Sequence, residues 1–183
     1  MNRHLANGML IILLASFTIS APLCAAASRY KEDEIKAVLI YHFTKFIDWP
    51  PTALNDATPE FTLCTFGTSP IESALATIRG KAVKGRPLVI RKISRPQQLK
   101  TCHTLFIRAS ALKSATQILA YAKDLPIITI SDSAKFACMG GIFSFVRSDD
   151  TISFDVNPKA ARRVGLTIRS KLLRLAKTIV RCN

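Results

Sequence analysis

Apolar side chains recur at helical spacing near the start of the chain. The stripe that this spacing predicts to face the core, together with its two flanking positions, consists of Ile35, Val38, Leu39, His42, Phe43 and Phe46. Trp49 closes the stripe, and Pro50 and Pro51 cannot continue a helix. The pattern therefore predicts an amphipathic, aromatic-rich first helix, in which His42 is a core histidine with a hydrogen-bond partner.

The next segments alternate between strand and helix patterns. They are predicted in the order strand Phe61–Phe66, helix Pro70–Arg79, strand Leu88–Ile93 and strand Thr104–Arg108. The first three fit one crossover unit with parallel strands. Only about ten residues separate the last two strands, too few for a full helical crossover, so one helical turn at Pro96–Lys100 is expected there.

The second half of the chain continues the alternation and then changes to a hairpin. It predicts helix Ser110–Lys123, strand Pro126–Ile130, hairpin strands Ile142–Val146 and Ile152–Val156, and a last helix that Asn157 caps. A stripe at helical spacing favours one long terminal helix, and it consists of Val164, Ile168, Leu172, Leu175 and Ile179. The fold class predicted is α/β: a single domain with a mixed β-sheet flanked by helices, a C-terminal β-hairpin and a long terminal helix.

The first 27 residues have the pattern of a secretory signal peptide. Arg3 precedes an apolar run from Met9 to Ile19, and small residues follow at Ala25–Ala27. A basic start, a short apolar run and an Ala-x-Ala exit are typical of such leaders. Cys24 raises the alternative of a lipoprotein, but Leu23 fits that signal poorly. We therefore expect cleavage after residue 27, with residues 28–183 forming the exported, periplasmic domain.

Basic residues dominate the charge of the chain. The formal net charge is +14, no acidic residue lies between Glu72 and Asp124, and none follows Asp155. In a cytoplasmic protein this charge would suggest nucleic acid as the partner, and the expected export argues against it. It leaves three readings: an acidic partner domain, anionic lipid, or a solvated basic face without a specific partner.

Removal of the leader leaves an even number of cysteines, which in an oxidising compartment suggests disulfides. These are Cys64, Cys102, Cys138 and Cys182. Cys64 and Cys102 lie in or next to predicted strands and can bridge if those strands are neighbours. Cys138 and Cys182 either pair, if the chain end returns past Gly140-Gly141, or remain free thiols.

Motifs for catalysis are missing from the sequence. It has no Gly-x-Ser-x-Gly elbow, no P-loop and no Gly-x-Gly-x-x-Gly run, and neither His42 nor His103 has metal-ligand spacing. We therefore predict no catalytic residue, no metal site and no cofactor, and a binding or regulatory protein rather than an enzyme. A second hypothesis is a small-molecule sensing module whose pocket lies near Gly67, Ser131 and Gly140, at the ends of the strands.

Several motifs together resemble the YfiR family of periplasmic repressors, over essentially the whole mature chain. They lie in the ranges Lys36–Pro50, Phe61–Cys64, Cys102–Ile107, Phe136–Ile142 and Ile152–Ala176. The resemblance implies a repressor that binds the periplasmic sensor domain of an inner-membrane diguanylate cyclase, which lowers cyclic di-GMP and biofilm formation. It also implies homodimers, sequestration by an outer-membrane lipoprotein and tuning by the redox state of the cysteines.

The resemblance also bears on the cysteines. Cys64 and Cys102 match one family pair. Of the second family pair only Cys138 is present, because Phe145 stands where its partner is expected, and Cys182 is a candidate replacement. For partner contact we hypothesise a groove between the hairpin and the last helix, with Asn157, Arg162 and Arg169 as its residues.

Overall fold

The computed structural model describes residues 21–55, 58–67, 71–148 and 151–182, with side chains described from residue 31 onward. Its helices are α1 (Ala21–Lys45), α2 (Ile71–Ala76), α3 (Ala115–Ala122), α4 (Pro158–Arg163) and α5 (Ser170–Leu173), with 3-10 helices at Pro96–Thr101 and Ala109–Ser114. Its strands are β1 (Ile47–Asp48), β2 (Phe61–Phe66), β3 (Ala82–Val83), β4 (Arg86–Ile93), β5 (Thr104–Ile107), β6 (Ile128–Ser131), β7 (Phe143–Ser148), β8 (Thr151–Val156), β9 (Thr167–Ile168) and β10 (Thr178–Ile179). Most of the expected signal peptide, residues 1–20, lies outside these ranges.

Eight strands of the described chain form one mixed sheet in the order β10-β8-β7-β6-β5-β2-β4-β3. Strands β4, β2, β5, β6 and β7 are parallel neighbours, whereas β8 pairs with β7 as an antiparallel hairpin. Helix α2 joins β2 to β4, and the 3-10 helix Pro96–Thr101 joins β4 to β5. The predicted α/β class, crossover unit and hairpin are therefore confirmed.

The sheet is covered on both faces. One core cluster contains residues of α1, α2 and α4, and a second contains residues of α3 and the 3-10 helix Pro96–Thr101. At the centre of the first, the ring of Phe43 stacks on Phe143 at 4.2 Å between centroids and meets Phe154 edge-on at 4.8 Å. Because parallel strands need both faces covered, the nearly continuous burial of β2 and β5 fits their central positions.

The inward face of α1 differs from the predicted one. The buried apolar residues of the helix are Ala37, Ile40 and Phe43, whereas Val38 is 47% exposed and His42 lies on the surface. Phe43 belongs to both the predicted and the observed stripe, and Leu39 and Phe46 of the predicted stripe are only partly buried against the core. His42 is therefore not a core histidine, and the prediction for it was wrong.

The predicted long terminal helix is also wrong. Helix α4 ends at Arg163, and Gly165 adopts a left-handed backbone with φ of +74°. Beyond it the chain forms β9, which pairs with β1, then α5, and then β10, which pairs with β8. The sequence does contain a stripe at helical spacing. The left-handed turn at Gly165 ends the helix, and pairing with β1 and β8 gives the following segments backbone hydrogen bonds as strands.

Candidate functional site

A groove of 380 Å³ lies between α4 and the C-terminal tail. It is lined by Pro158, Lys159, Arg162, Ile179, Val180, Arg181 and Cys182. Its apolar part is small and exposed, since the side chain of Ile179 is 48% accessible to solvent. The groove brings together two segments that the sequence prediction had placed on one continuous helix.

Asn157 sets the position of α4 at one wall of the groove. Its Oδ1 accepts a hydrogen bond from the backbone N–H of Ala160 at 3.0 Å, and its Nδ2 donates to the carbonyl of Ala137 at 2.9 Å. Asn157 is 4% exposed. The residue is thus a helix cap that fixes α4, one wall of the groove, and its buried side chain is not part of the surface.

The tail that forms the other wall is held at two places. The backbone N–H groups of Lys177 and Val180 donate to the carbonyls of Phe154 and Val156 at 2.8 and 2.7 Å. At its end, Cys182 is joined by a disulfide to Cys138, with 5.2 Å between the Cα atoms. The shape of the groove therefore depends on an added edge strand and on this covalent link.

The charge of the groove is uniformly positive. Lys159, Arg162 and Arg181 are exposed, and none of them forms an ion pair within the described ranges. No lining residue carries a carboxylate. Three unpaired cations around an apolar patch attract an acidic group that carries an apolar neighbour. Sequence reasoning named Arg162 but missed Lys159 and Arg181, although the absence of acids after Asp155 was the available signal.

Arg169 lies at a different place from the groove. Its Nε donates to Asp48 Oδ2 at 2.9 Å and its Nη2 to Asp48 Oδ1 at 2.8 Å, and Lys84 Nζ donates to the same Oδ1 at 2.9 Å. These hydrogen bonds, that of Arg169 first, lower the pKa of Asp48 to about 2. The structure thus gives Arg169 a role in joining β9 to β1.

The four cysteines form two disulfides of different exposure. Cys64 and Cys102 are joined between neighbouring strands β2 and β5, with 5.8 Å between Cα atoms, and are 0% and 6% exposed. Cys138, by contrast, lies on the surface. The first bridge is therefore part of the core, and the second is accessible to solvent.

The three residues considered for a ligand pocket are dispersed. Gly67 follows β2, and a Cβ at its position would lie 3.1 Å from Ala111 Cβ, so the chain is tightly packed there. Ser131 is fully buried at the end of β6, and its hydroxyl accepts a hydrogen bond from Ser133 N–H at 3.1 Å. Gly140 lines a cavity of 260 Å³ between α3 and α4, which contains neither Gly67 nor Ser131.

Charged side chains meet beyond the carboxyl ends of β5 and β6. Arg108 Nη1 forms an ion pair with Asp132 Oδ2 at 3.2 Å, and both residues act electrostatically on Asp33 of α1. Asp33 is 3% exposed, and burial raises its pKa, against the lowering effect of Lys36 and Arg108. This network ties the first helix to the sheet edge.

Neither a membrane-spanning helix nor a cluster of metal ligands is present among the described residues. No helix among them is long and apolar enough to cross a bilayer. No group of three or more histidine, cysteine, aspartate or glutamate side chains within the same ranges has the arrangement of a metal site.

Comparison with known proteins connects this fold to a family. The model of the YfiR/HmsC-like domain family matches residues 33–177, which include β1 to β9 and the α4 wall of the groove, whereas residues 179–182 of its other wall lie beyond the match. The chain belongs to the YfiR/HmsC-like family. Members of this family are periplasmic, regulatory rather than catalytic, and act in the cyclic di-GMP pathway through a diguanylate cyclase. A comparison with curated proteins gave no match.

Two solved structures resemble this YfiR/HmsC-like chain in fold. A conserved domain protein from Vibrio cholerae has a TM-score of 0.54 at 11% identity, over 80% of this chain and 59% of its own. An ABC domain in complex with L-Trp from Streptococcus pneumonia has a TM-score of 0.50 at 12% identity, over 71% of this chain and 58% of its own. The chain thus spans less than two thirds of either protein, and these likenesses concern the fold alone.

Proposed function

We propose that this protein is a periplasmic inhibitor of an inner-membrane diguanylate cyclase. It binds the periplasmic sensor domain of the cyclase, holds the enzyme inactive, and so lowers cyclic di-GMP and biofilm formation. The observation that carries the proposal is the family match over residues 33–177. Export by a signal peptide in residues 1–27, a homodimeric state and sequestration by an outer-membrane lipoprotein belong to the same proposal.

The groove between α4 and the tail supports the proposal as the contact site for the cyclase. Lys159, Arg162 and Arg181 offer three cations to an acidic segment, and the exposed side chain of Ile179 offers an apolar anchor point. Interfaces of this kind depend on a central apolar contact for affinity and on complementary charge for orientation and association rate. The partner segment is therefore expected to carry aspartate or glutamate beside an apolar residue.

The first experiment measures cellular cyclic di-GMP in a strain that lacks the gene. An exported wild-type copy is expected to lower the cyclic di-GMP level, and a double variant Lys159→Glu/Arg162→Glu is expected not to. The matched control is Lys113→Glu/Lys123→Glu, two exposed lysines of the α3 region outside the groove, which should behave as wild type. If the groove variant lowers cyclic di-GMP as fully as the wild type at equal protein level, the groove is not the contact site for the cyclase.

A second experiment separates the function from the site. The purified protein is mixed with the periplasmic domain of the cyclase, and association is measured at two salt concentrations. Because the contact is electrostatic, we expect the association rate to fall as salt rises, and the salt dependence to shrink in the groove variant. An unchanged cyclic di-GMP level on gene deletion, with no association in vitro, would overturn the inhibitor proposal itself.

A further inference from the structure

A second cavity, of 440 Å³, lies at the opposite ends of the strands from Gly67 and Ser131. It opens where β2, β5 and β6 begin, between residues 52–53 and 58–60, the end of the 3-10 helix Pro96–Thr101 and the segment before β6. The volume lies in the range of small-molecule sites in proteins. No residue of the groove between α4 and the tail lines it.

The floor of this cavity is apolar and fixed. Leu99 is fully buried, Ile127 is 2% exposed and Cys102, bound to Cys64, is 6% exposed. Pro59, Leu125 and Pro126 complete the apolar lining. Side chains in such a setting cannot move away easily, so the floor is a pre-formed surface for an apolar ligand group.

His103 forms one wall and is held as a neutral ring. Its Nδ1 accepts a hydrogen bond from the backbone N–H of Thr62 at 2.9 Å, and its ring stacks on Phe61 with 5.0 Å between centroids. It also bonds to the backbone of Ala53, and burial lowers its pKa. With these contacts made, His103 has no role as a general base and serves to shape the wall.

The charge at the rim of the cavity is positive. Arg91 and Glu60 neutralise one another through an ion pair of 2.9 Å between Nη2 and Oε2. Lys100 is exposed and, within the described parts of the chain, forms no ion pair. Among the lining residues that the structure describes, the charge without an ion-pair partner is therefore a cation beside an apolar floor.

We infer that this cavity binds a small carboxylate with a compact apolar body. The carboxylate lies against the ammonium group of Lys100, and the apolar body lies on Pro59, Leu125 and Pro126, the apolar lining residues that solvent reaches. A cation at the rim distinguishes such an acid from its neutral amide, because a charge-assisted hydrogen bond is stronger than a neutral one. The inference goes beyond the proposed inhibition and needs no cyclase.

The chain contains its own reporter for this site. Trp49, the single tryptophan, donates from Nε1 to the carbonyl of the lining residue Pro126 at 3.0 Å and meets Phe61 edge-on at 5.1 Å. A ligand that contacts Pro126 therefore changes the surroundings of the indole. Its fluorescence can be followed in the unlabelled protein with both disulfides formed.

The experiment titrates the protein with cyclohexanecarboxylate and, as the matched neutral probe, cyclohexanecarboxamide. We expect a saturable change in Trp49 emission with the carboxylate, and a dissociation constant at least about tenfold larger with the amide. Lys100→Gln is expected to remove this preference, and Lys113→Gln, an exposed lysine outside the cavity, is expected to retain it. Equal affinity for both probes, an unaltered preference in Lys100→Gln, or no saturable change would overturn the inference, and the cyclase experiments remain independent of it.

Discussion

Arg169 and Asp48, which are 121 residues apart in sequence, form a two-pronged ion pair that joins the start of the domain to its end. The pair lies beside the short β1–β9 ladder, in which Asp48 pairs with Thr167. It is the largest cause, followed by the hydrogen bond from Lys84, of the fall in the pKa of Asp48 to about 2. A residue first considered for partner contact thus has a defined structural role.

This pair predicts a pH-dependent effect of Asp48→Asn on stability. The pKa of Asp48 is about 2 in the folded protein and 3.8 for an ordinary aspartate, so the stabilisation is complete above about pH 4 and is lost as the pH falls through about 2. Both side chains are about half exposed, so we expect the melting temperature at pH 7 to fall by no more than about 3 °C. Thermal melts at pH 2 to 7 should show the two proteins converging at the acid end.

Arg169→Lys tests whether the geometry or only the charge matters. Lysine keeps the positive charge but cannot donate two parallel hydrogen bonds to a carboxylate. We expect an NMR titration of Asp48 to give a pKa between about 2 and 3.8 in this variant. A pKa that stays at the wild-type value would show that the two-pronged contact is not its cause.

His103 predicts a second pH effect, in a different range. Burial lowers its pKa in the folded state below the ordinary histidine value of 6.5. The unfolded chain then binds the proton more readily, so this contribution to stability is complete above pH 6.5 and declines as the pH falls toward the folded pKa. Chemical denaturation between pH 5 and 7.5 should show a loss of at most about 1.4 kcal/mol per pH unit in that window.

The control for this effect is a pair of glutamine variants. His103→Gln removes the titrating group, so the pH dependence attributed to it should disappear. His42→Gln, a change at an exposed position of α1, should retain the wild-type profile. The same slope in all three proteins would refute the assignment to His103.

The two disulfides should differ in their response to a reductant. The Cys64–Cys102 bridge is buried, whereas Cys138 is exposed, so a mild reductant is expected to open Cys138–Cys182 first. Mass spectrometry after timed alkylation measures the order directly. Removal of the buried bridge, with a separation of 38 residues, should cost about 4 kcal/mol in the chain-entropy picture. Simultaneous reduction of both bridges would contradict the difference in access.

Gly165 predicts a backbone effect that does not depend on packing. Its φ is +74°, and a Cβ at this position meets only Pro50, at ordinary contact distances of 3.6 Å or more. Gly165→Ala should therefore destabilise by about 1–2 kcal/mol through the left-handed conformation alone. Gly165→Asn, which tolerates that conformation better, should lose less in the same denaturation assay. Equal losses would point to a steric cause instead.

Part of the site was visible in the sequence, and part depended on contacts between distant segments. Asn157 was correctly predicted as a helix cap, because a capping side chain acts on a backbone N–H three residues away. Arg162 lines a groove, but one between α4 and the tail instead of the expected one between the hairpin and the last helix, and Lys159 and Arg181 join it only because the tail returns along β8. The cavity beside His103 was not foreseen, since its lining comes from separate loops.

The sequence by itself determined the elements whose signals are local. These are the crossover unit from β2 to β4, the β7–β8 hairpin and the cap of α4, and each rests on periodicity or turn chemistry within a few residues. Tertiary structure decided the rest. Packing against the sheet set the inward face of α1, where Ala37 and Ile40 lie buried beside Phe43, and pairing with β1 and β8 divided the terminal stripe into short pieces, because burial and backbone hydrogen bonds between distant segments outweigh a weak helical preference.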